Sequence, residues 1–211
     1  MSEQRIVVSY LGLRKLIGLI GMAHPLVLYV GGVWLFGIGL QSSMSAYYHT
    51  GMRDVFVGLG FVTGTFLLCY RGYDKHDRIV SVIAGAAAIV VALFPIAGSD
   101  HPNPHEVLSS KIHMSSAFVF LLALAYFCLV LFPKGATVPQ LFSIQKKKRN
   151  TVYRVSGVLI ILSLVAAAAY FLIEKLHVML EPWHPIFFLE AISFVSFGIA
   201  WLVKGQAILA D

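Results

Sequence analysis

The chain has 211 residues, of which 58% are hydrophobic and 12% charged, and its mean hydropathy is +0.81. These values exclude an ordinary soluble globular domain and predict an integral membrane protein. The net charge is +6, but the basic residues are not arranged as a groove-binding face, so we expect no nucleic-acid partner. Cys69 and Cys128 lie inside apolar segments, which indicates neither a disulfide nor a thiolate metal site.

Six apolar segments, each about as long as a bilayer-crossing helix, follow one another along the chain. They predict an all-α fold, a compact bundle of six transmembrane helices that forms a single domain over residues 1–211. The predicted spans are residues 16–40, 54–70, 79–98, 112–132, 152–173 and 185–203.

The basic residues are distributed unevenly between the two sides that these spans define. One side, which includes both termini, carries 13 of the 16 Lys and Arg residues. The positive-inside rule therefore predicts cytoplasmic termini, with the histidine-rich connections facing the periplasm, the exterior or an organelle lumen. We expect a multi-pass protein of a bacterial cytoplasmic membrane. The other side has only Arg53, Lys111 and Lys175.

Small residues are frequent within the predicted spans. Examples are the alanine-rich stretches 84–88 and 166–169, together with Gly58, Gly60 and Gly64. Such residues allow helices to approach closely, so they predict a tight bundle. We expect membrane lipids as partners, and the small-residue faces can also serve a partner membrane protein or a second copy of the chain.

Six of the eight histidines lie in or beside the three connections on the side with few basic residues. Histidine is the commonest metal ligand and titrates near neutral pH, so this cluster is the strongest chemical signal in the sequence. Its members are His49, His101, His105, His113, His177 and His184.

The first of these connections, residues 42–54, is polar and aromatic. If its middle is helical, Ser45 and His49 share a face, and the hydroxyl is able to bond the imidazole or a water that it holds. The alternative is an interfacial belt, with Tyr47 and Tyr48 at the depth of the lipid head groups.

The second connection contains His101 and His105, which have the spacing of a helical metal pair. Pro102 and Pro104 make a regular helix between them unfavourable, so this pair is discounted as a metal site. We expect His105 and Glu106 to open the next helix, with His113 two turns further along.

Glu190 lies inside the sixth predicted span, after the third connection. A carboxylate costs about 2.5 to 3.5 kcal/mol near the centre of a bilayer, so we expect it to be paired, protonated or facing a polar cavity. Such a residue is a candidate functional group, and the alternative is a buried hydrogen bond that locks helix packing.

Together, the three connections predict one polar site at the noncytoplasmic face. Three histidines and a water suit a catalytic Zn²⁺, which lowers the pKa of the water while a carboxylate acts as base. The predicted metal ligands are His49, His113 and His184. The residues predicted to act in catalysis are Ser45, Asp54 and Glu190.

The stretch from Ser45 to Thr50 resembles the serine, three residues, histidine motif of the alkaline ceramidase and adiponectin-receptor superfamily of membrane hydrolases. This resemblance implies a zinc ligand at His49 and a catalytic-site hydroxyl at Ser45. The pair Trp183-His184 is similar to the last helix of that family, which carries two histidines four residues apart and has seven spans. Here Leu180 and Phe188 stand where the second histidine would be.

The overall pattern is also similar to small bacterial six-helix membrane proteins that share the segments Tyr-Tyr-His-Thr and Arg-Asp-Val-Phe-Val-Gly. These features leave three functions open. The first is a zinc-dependent hydrolase of a lipid amide or ester, and the second is a noncatalytic assembly or accessory subunit. The third, a small transporter, is disfavoured because the cytoplasmic half has almost no polar residue besides His24.

Overall fold

The computed structural model describes residues 2–98, 101–134 and 144–209, with side chains described from residue 10 onward. Within these ranges all regular structure is helical. The α-helices are α1 (Ser2–Phe36), α2 (Arg53–Cys69), α3 (Lys75–Leu93), α4 (Pro104–Tyr126), α5 (Ile144–Leu172), α6 (Glu174–Leu180) and α7 (Pro185–Lys204). A 3-10 helix (Ser45–His49) precedes α2, a π-helical turn (Phe127–Leu131) extends α4, and a second 3-10 helix (Glu181–Trp183) follows α6.

Five helical segments are long and apolar enough to cross a membrane. These segments are Tyr10–Phe36, Lys75–Leu93, Pro104–Leu131, Ile144–Leu172 and Pro185–Lys204. The remaining long helix, α2, has 17 residues and packs along α3. The prediction of an all-helical fold is therefore confirmed for the described residues, and the five apolar helices are consistent with an integral membrane protein.

The helix boundaries differ from the predicted spans for identifiable reasons. The first helix ends at Phe36 because Gly37 adopts a left-handed conformation (φ +65°), which glycine tolerates without steric cost. The third ends at Leu93 because Phe94, which precedes Pro95, is extended. Hydropathy does not report these backbone conformations, so it does not predict where the two helices end.

The start of α4 follows the prediction for His105 and Glu106. The Asn103 side chain accepts the backbone N–H groups of His105 (2.9 Å) and Glu106 (3.1 Å), and the Glu106 carboxylate accepts the N–H of Asn103 (2.9 Å). This capping box, with Pro104 in the first turn, satisfies the free N–H groups of the helix. No helix joins His101 to His105.

Two pairs of glycines allow close helix crossings. A Cβ atom on Gly198 of α7 would lie 2.5 Å from the carbonyl oxygen of Gly18 in α1, and one on Gly85 of α3 would lie 2.7 Å from that of Gly64 in α2. The tight packing predicted from small residues is present at these crossings. Gly58 differs, because a Cβ there would meet no atom within 4 Å.

The described parts of the α1–α2 and α3–α4 connections, together with α6 and the turn after it, meet at one end of the bundle, which we call the loop end. At the opposite end, Lys134 bridges Asp74 (2.9 Å) and the buried Asp77. Asp74 caps α3, and the N–H of Asp77 together with the Lys134 ammonium lowers the pKa of the Asp74 carboxyl to about 2. Lys204 is buried at this end and donates to the Tyr73 hydroxyl (3.2 Å).

We expect Gly198→Ala to lower the thermal midpoint of the purified protein, because the added methyl group overpacks the α1–α7 crossing by about 1 to 3 kcal/mol. Gly12→Ala is the matched control, since a Cβ at Gly12 in α1 meets no atom within 4 Å. The thermal midpoints of both variants are measured by intrinsic fluorescence during unfolding in detergent. Equal midpoints for the two variants would contradict the close crossing.

Candidate functional site

The imidazole of His113 connects three segments at the loop end. The ring lies two turns into α4 and is 1% exposed. Its Nδ1 atom is 2.7 Å from the carbonyl oxygen of Phe94, just beyond α3, and its Nε2 atom is 2.8 Å from the Ser45 hydroxyl. Both ring nitrogens therefore have partners from other parts of the chain.

These two partners determine the tautomer of the neutral ring. A carbonyl oxygen only accepts hydrogen bonds, so Nδ1 carries the proton and donates it to Phe94. The Nε2 atom then presents its lone pair to Ser45, and the serine hydroxyl donates. This arrangement pairs a hydroxyl with a base whose orientation is fixed by a third group.

Glu190 of α7 holds the segment that carries Ser45. Its Oε2 atom accepts the backbone N–H of Met44 at 2.6 Å. The bond joins residues that are 146 positions apart, and it places the start of the 3-10 helix against α7.

The Ser45–His49 pairing considered from the sequence does not form. The segment is a 3-10 helix, in which residues three apart align, so residues four apart do not. The exposed His49 ring places its Nε2 atom 2.8 Å from the carbonyl oxygen of Ile96. His49 therefore attaches the first connection to the residues that follow α3.

A cavity of about 680 Å³ lies between α4, α5, α6 and α7, and we call it the site cavity. Ser45, His113 and Glu190 all line it, as do His177 and His184. Its other walls are mostly apolar, and they include Phe118, Leu121, Leu164 and Phe171. Apolar walls with a few convergent polar groups are typical of ligand-binding cavities of this size.

The short helix α6 and the 3-10 helix after it bring His177, Glu181 and His184 to the site cavity. The six-span prediction included no helix in this region, because the seven residues of α6 are too few to give a hydropathy signal. His184 has a left-handed backbone (φ 49°), and Pro185 after it disfavours the right-handed helical region.

Two predicted site residues lie elsewhere. Asp54 is exposed in the first turn of α2, where a carboxylate interacts favourably with the helix dipole. It does not line the site cavity, and neither does His49. Of the six predicted site residues, the structure thus brings together Ser45, His113, His184 and Glu190.

The structure does not bring the three predicted zinc ligands together, because His49 lies outside the cavity that His113 and His184 line. Among the residues that the structure describes, no group of three or more His, Cys, Asp or Glu side chains is arranged to hold a metal ion. The lone pair of His113 faces Ser45, and His49 is bonded to a backbone oxygen. The assignment of His49, His113 and His184 to Zn²⁺ stays a prediction without support from these contacts.

A second, smaller cavity of about 50 Å³ adjoins the first, and Ser45 and Glu190 line both. His24 also lines it, and its buried ring packs edge-on against Phe194 at 4.8 Å. Neither ring nitrogen of His24 has a hydrogen-bond partner within the described part of the chain. His24 is not part of the Ser45–His113 pair.

Comparison of the chain with protein-family models, with curated proteins and with solved structures gave no match.

We expect His113 to be protonated at Nδ1 near neutral pH, because Phe94 supplies only an acceptor. A correlation spectrum of ¹⁵N-labelled histidine in detergent-solubilised protein reports the tautomer of each ring. Ser45→Ala should shift the Nε2 resonance of His113, whereas Ser42→Ala, which changes an exposed serine of the same segment, should not. A ring protonated at Nε2 would contradict the assignment.

Proposed function

We propose that the protein is a membrane hydrolase that cleaves a lipid ester or amide, with Ser45 as the nucleophile and His113 as the general base. The observation that carries this proposal is the 2.8 Å contact between the Ser45 hydroxyl and the unprotonated nitrogen of His113. A serine beside an oriented histidine is the usual arrangement for acyl transfer. The apolar walls of the site cavity suit the hydrocarbon part of a lipid.

In the first half of the reaction, the Ser45 oxygen attacks the carbonyl carbon of the substrate, and its proton passes to Nε2 of His113. The ring then becomes an imidazolium, whose Nδ1–H remains bonded to the Phe94 carbonyl oxygen. The bond to the alcohol or amine breaks next, and the leaving group takes the proton from Nε2. The acyl group is now an ester of Ser45.

In the second half, water attacks the carbonyl carbon of this acyl ester. His113 accepts a proton from the water and returns it to the Ser45 oxygen as the ester bond breaks. The products are a carboxylic acid and the free enzyme. Each half uses the same base, and no further redox partner or co-reactant is needed.

Glu190 is a positioning residue in this scheme. Its carboxylate bonds the backbone on the N-terminal side of Ser45 and therefore fixes the distance from the serine hydroxyl to His113. A displacement of about 1 Å at such a pair lowers the rate by about 100-fold. Asp54 and His49 have no step in this reaction, because they lie outside the site cavity.

We further propose six spans, with α2 as the additional one. A helix of 17 residues rises about 25 Å, which is somewhat less than the hydrocarbon thickness of about 30 Å. The residues on either side of α2 both contact α7. Met44, before α2, bonds Glu190, and the ring of Tyr70, directly after α2, lies 4.9 Å from that of Trp201, so α2 runs alongside a helix that is long enough to span. With six spans, the uneven distribution of basic residues favours cytoplasmic termini and a site at the noncytoplasmic face.

We expect Ser45→Ala and His113→Ala each to lower the hydrolysis of a p-nitrophenyl ester of a long-chain fatty acid by at least about 100-fold. Release of p-nitrophenol by the detergent-solubilised protein measures the rate. Ser42→Ala is the matched control, because Ser42 lines the same cavity and belongs to the same segment.

The rate of the Ser42→Ala variant should stay within about twofold of the wild type. Wild-type protein that is folded but inactive toward esters and amides of several chain lengths would favour the accessory-subunit function instead. Activity that survives both Ser45→Ala and His113→Ala would reject these two residues as the reacting pair.

A zinc chelator tests the metal-dependent form of the hydrolase. If Ser45 and His113 act as proposed, 1,10-phenanthroline should leave the rate unchanged, because neither step requires a Lewis acid. The rate before and after incubation with the chelator is the measurement. Loss of activity that added Zn²⁺ restores, and that His49→Ala also causes, would establish the zinc site predicted from the sequence.

A further inference from the structure

The charged groups of the site cavity have the opposite sign from the chain as a whole. The chain has 16 basic and 10 acidic residues. Among the described residues that line the cavity, the acidic side chains are Glu181 and Glu190, the titratable bases are His113, His177 and His184, and there is no Lys or Arg. A phosphate head group would therefore meet two acidic side chains and find no Lys or Arg, the residues that bind phosphate most often.

The lining residues are also arranged in order along the cavity. His177 and Glu181, from α6 and the turn after it, lie at the loop end. The Ser45–His113 pair follows, and the apolar side chains of Phe118 and Leu121 lie further along α4. An amphiphile in this cavity would thus have its head group beside Glu181 and its alkyl chain toward the middle of the bundle.

Aromatic rings line the site cavity together with Glu181, and its charge acts on the nearby Tyr170 hydroxyl. The rings of Tyr170 and His177, which both line the cavity, are 4.6 Å apart, and Phe171 packs 5.2 Å from Tyr170. A carboxylate next to ring faces is the combination that recognises ammonium groups, through charge attraction and cation–π contact. Glu181 is exposed and forms no ion pair with the described Lys or Arg residues.

We propose that the site cavity binds an amphiphile with one alkyl chain and an ammonium head group, with the ammonium between Glu181 and the Tyr170–His177 rings. This inference deepens the proposed function, because it names the substrate class as a long-chain acyl ester or amide whose leaving group carries an ammonium. The carbonyl carbon then lies at Ser45. Binding of the amphiphile itself does not require Ser45 to react.

Thermal unfolding of the full chain in a neutral maltoside detergent tests this inference with three probes of equal chain length. The probes are dodecylamine, dodecanol and dodecyl phosphate, and the shift of the midpoint with probe concentration gives an apparent Kd. We expect the Kd for the amine to be at least tenfold lower than that for the phosphate. The Ser45→Ala variant should show the same preference.

Two variants locate the ammonium. Glu181→Gln should weaken amine binding about threefold, which is typical for loss of one partly exposed ion pair, and should leave dodecanol binding unchanged. Glu174→Gln is the matched control, because Glu174 belongs to α6 but does not line the cavity. Unchanged dodecanol binding shows that a variant has kept its fold.

Equal affinity for the three probes, or equal effects of the two glutamate variants, would overturn the inference. Amine preference in a protein that hydrolyses no ester or amide would reject the proposed hydrolase and keep this binding site. Hydrolysis that depends on Ser45 but shows no head-group preference would keep the proposed hydrolase and reject the ammonium site.

Discussion

The site depends on one buried imidazole with two different partners. Phe94 gives His113 a carbonyl acceptor on one side, and Ser45 gives it a hydroxyl donor on the other. Because the carbonyl fixes the proton on Nδ1, the nitrogen that faces Ser45 is left as a base. If either partner were absent, a buried polar group would lose its hydrogen bond, at a cost of about 1 to 3 kcal/mol.

The rest of the fold brings these three segments to the same place. The Glu190 carboxylate bonds the backbone of Met44 and so holds the first connection against α7. The glycine crossings bring α1 against α7 and α2 against α3 at points further from the loop end, so the helices that support the site are closely packed along their length. A small number of polar contacts at that end then determine which residues line the site cavity and which face outward.

Sequence features that act over short distances predicted much of this structure. Apolar segments predicted the helices, and His105 with Glu106 marked the start of α4, which the structure shows to be capped by Asn103. The Ser45–His113 contact joins residues 68 positions apart, and no local pattern encodes such a contact. The four-residue spacing of Ser45 and His49 suggested a contact on one helix face. The segment is a 3-10 helix instead, and the His49 ring bonds the Ile96 carbonyl.

The central claim is that Ser45 forms a covalent acyl intermediate with the help of His113. The most direct test is the intact mass of the protein after rapid mixing with a p-nitrophenyl ester of a long-chain fatty acid. The account predicts an added acyl mass that peptide mapping places on Ser45, and no such adduct in His113→Ala at the same reaction time. A wild-type protein that turns over the ester without any adduct on Ser45, or that carries the adduct on another residue, would contradict it.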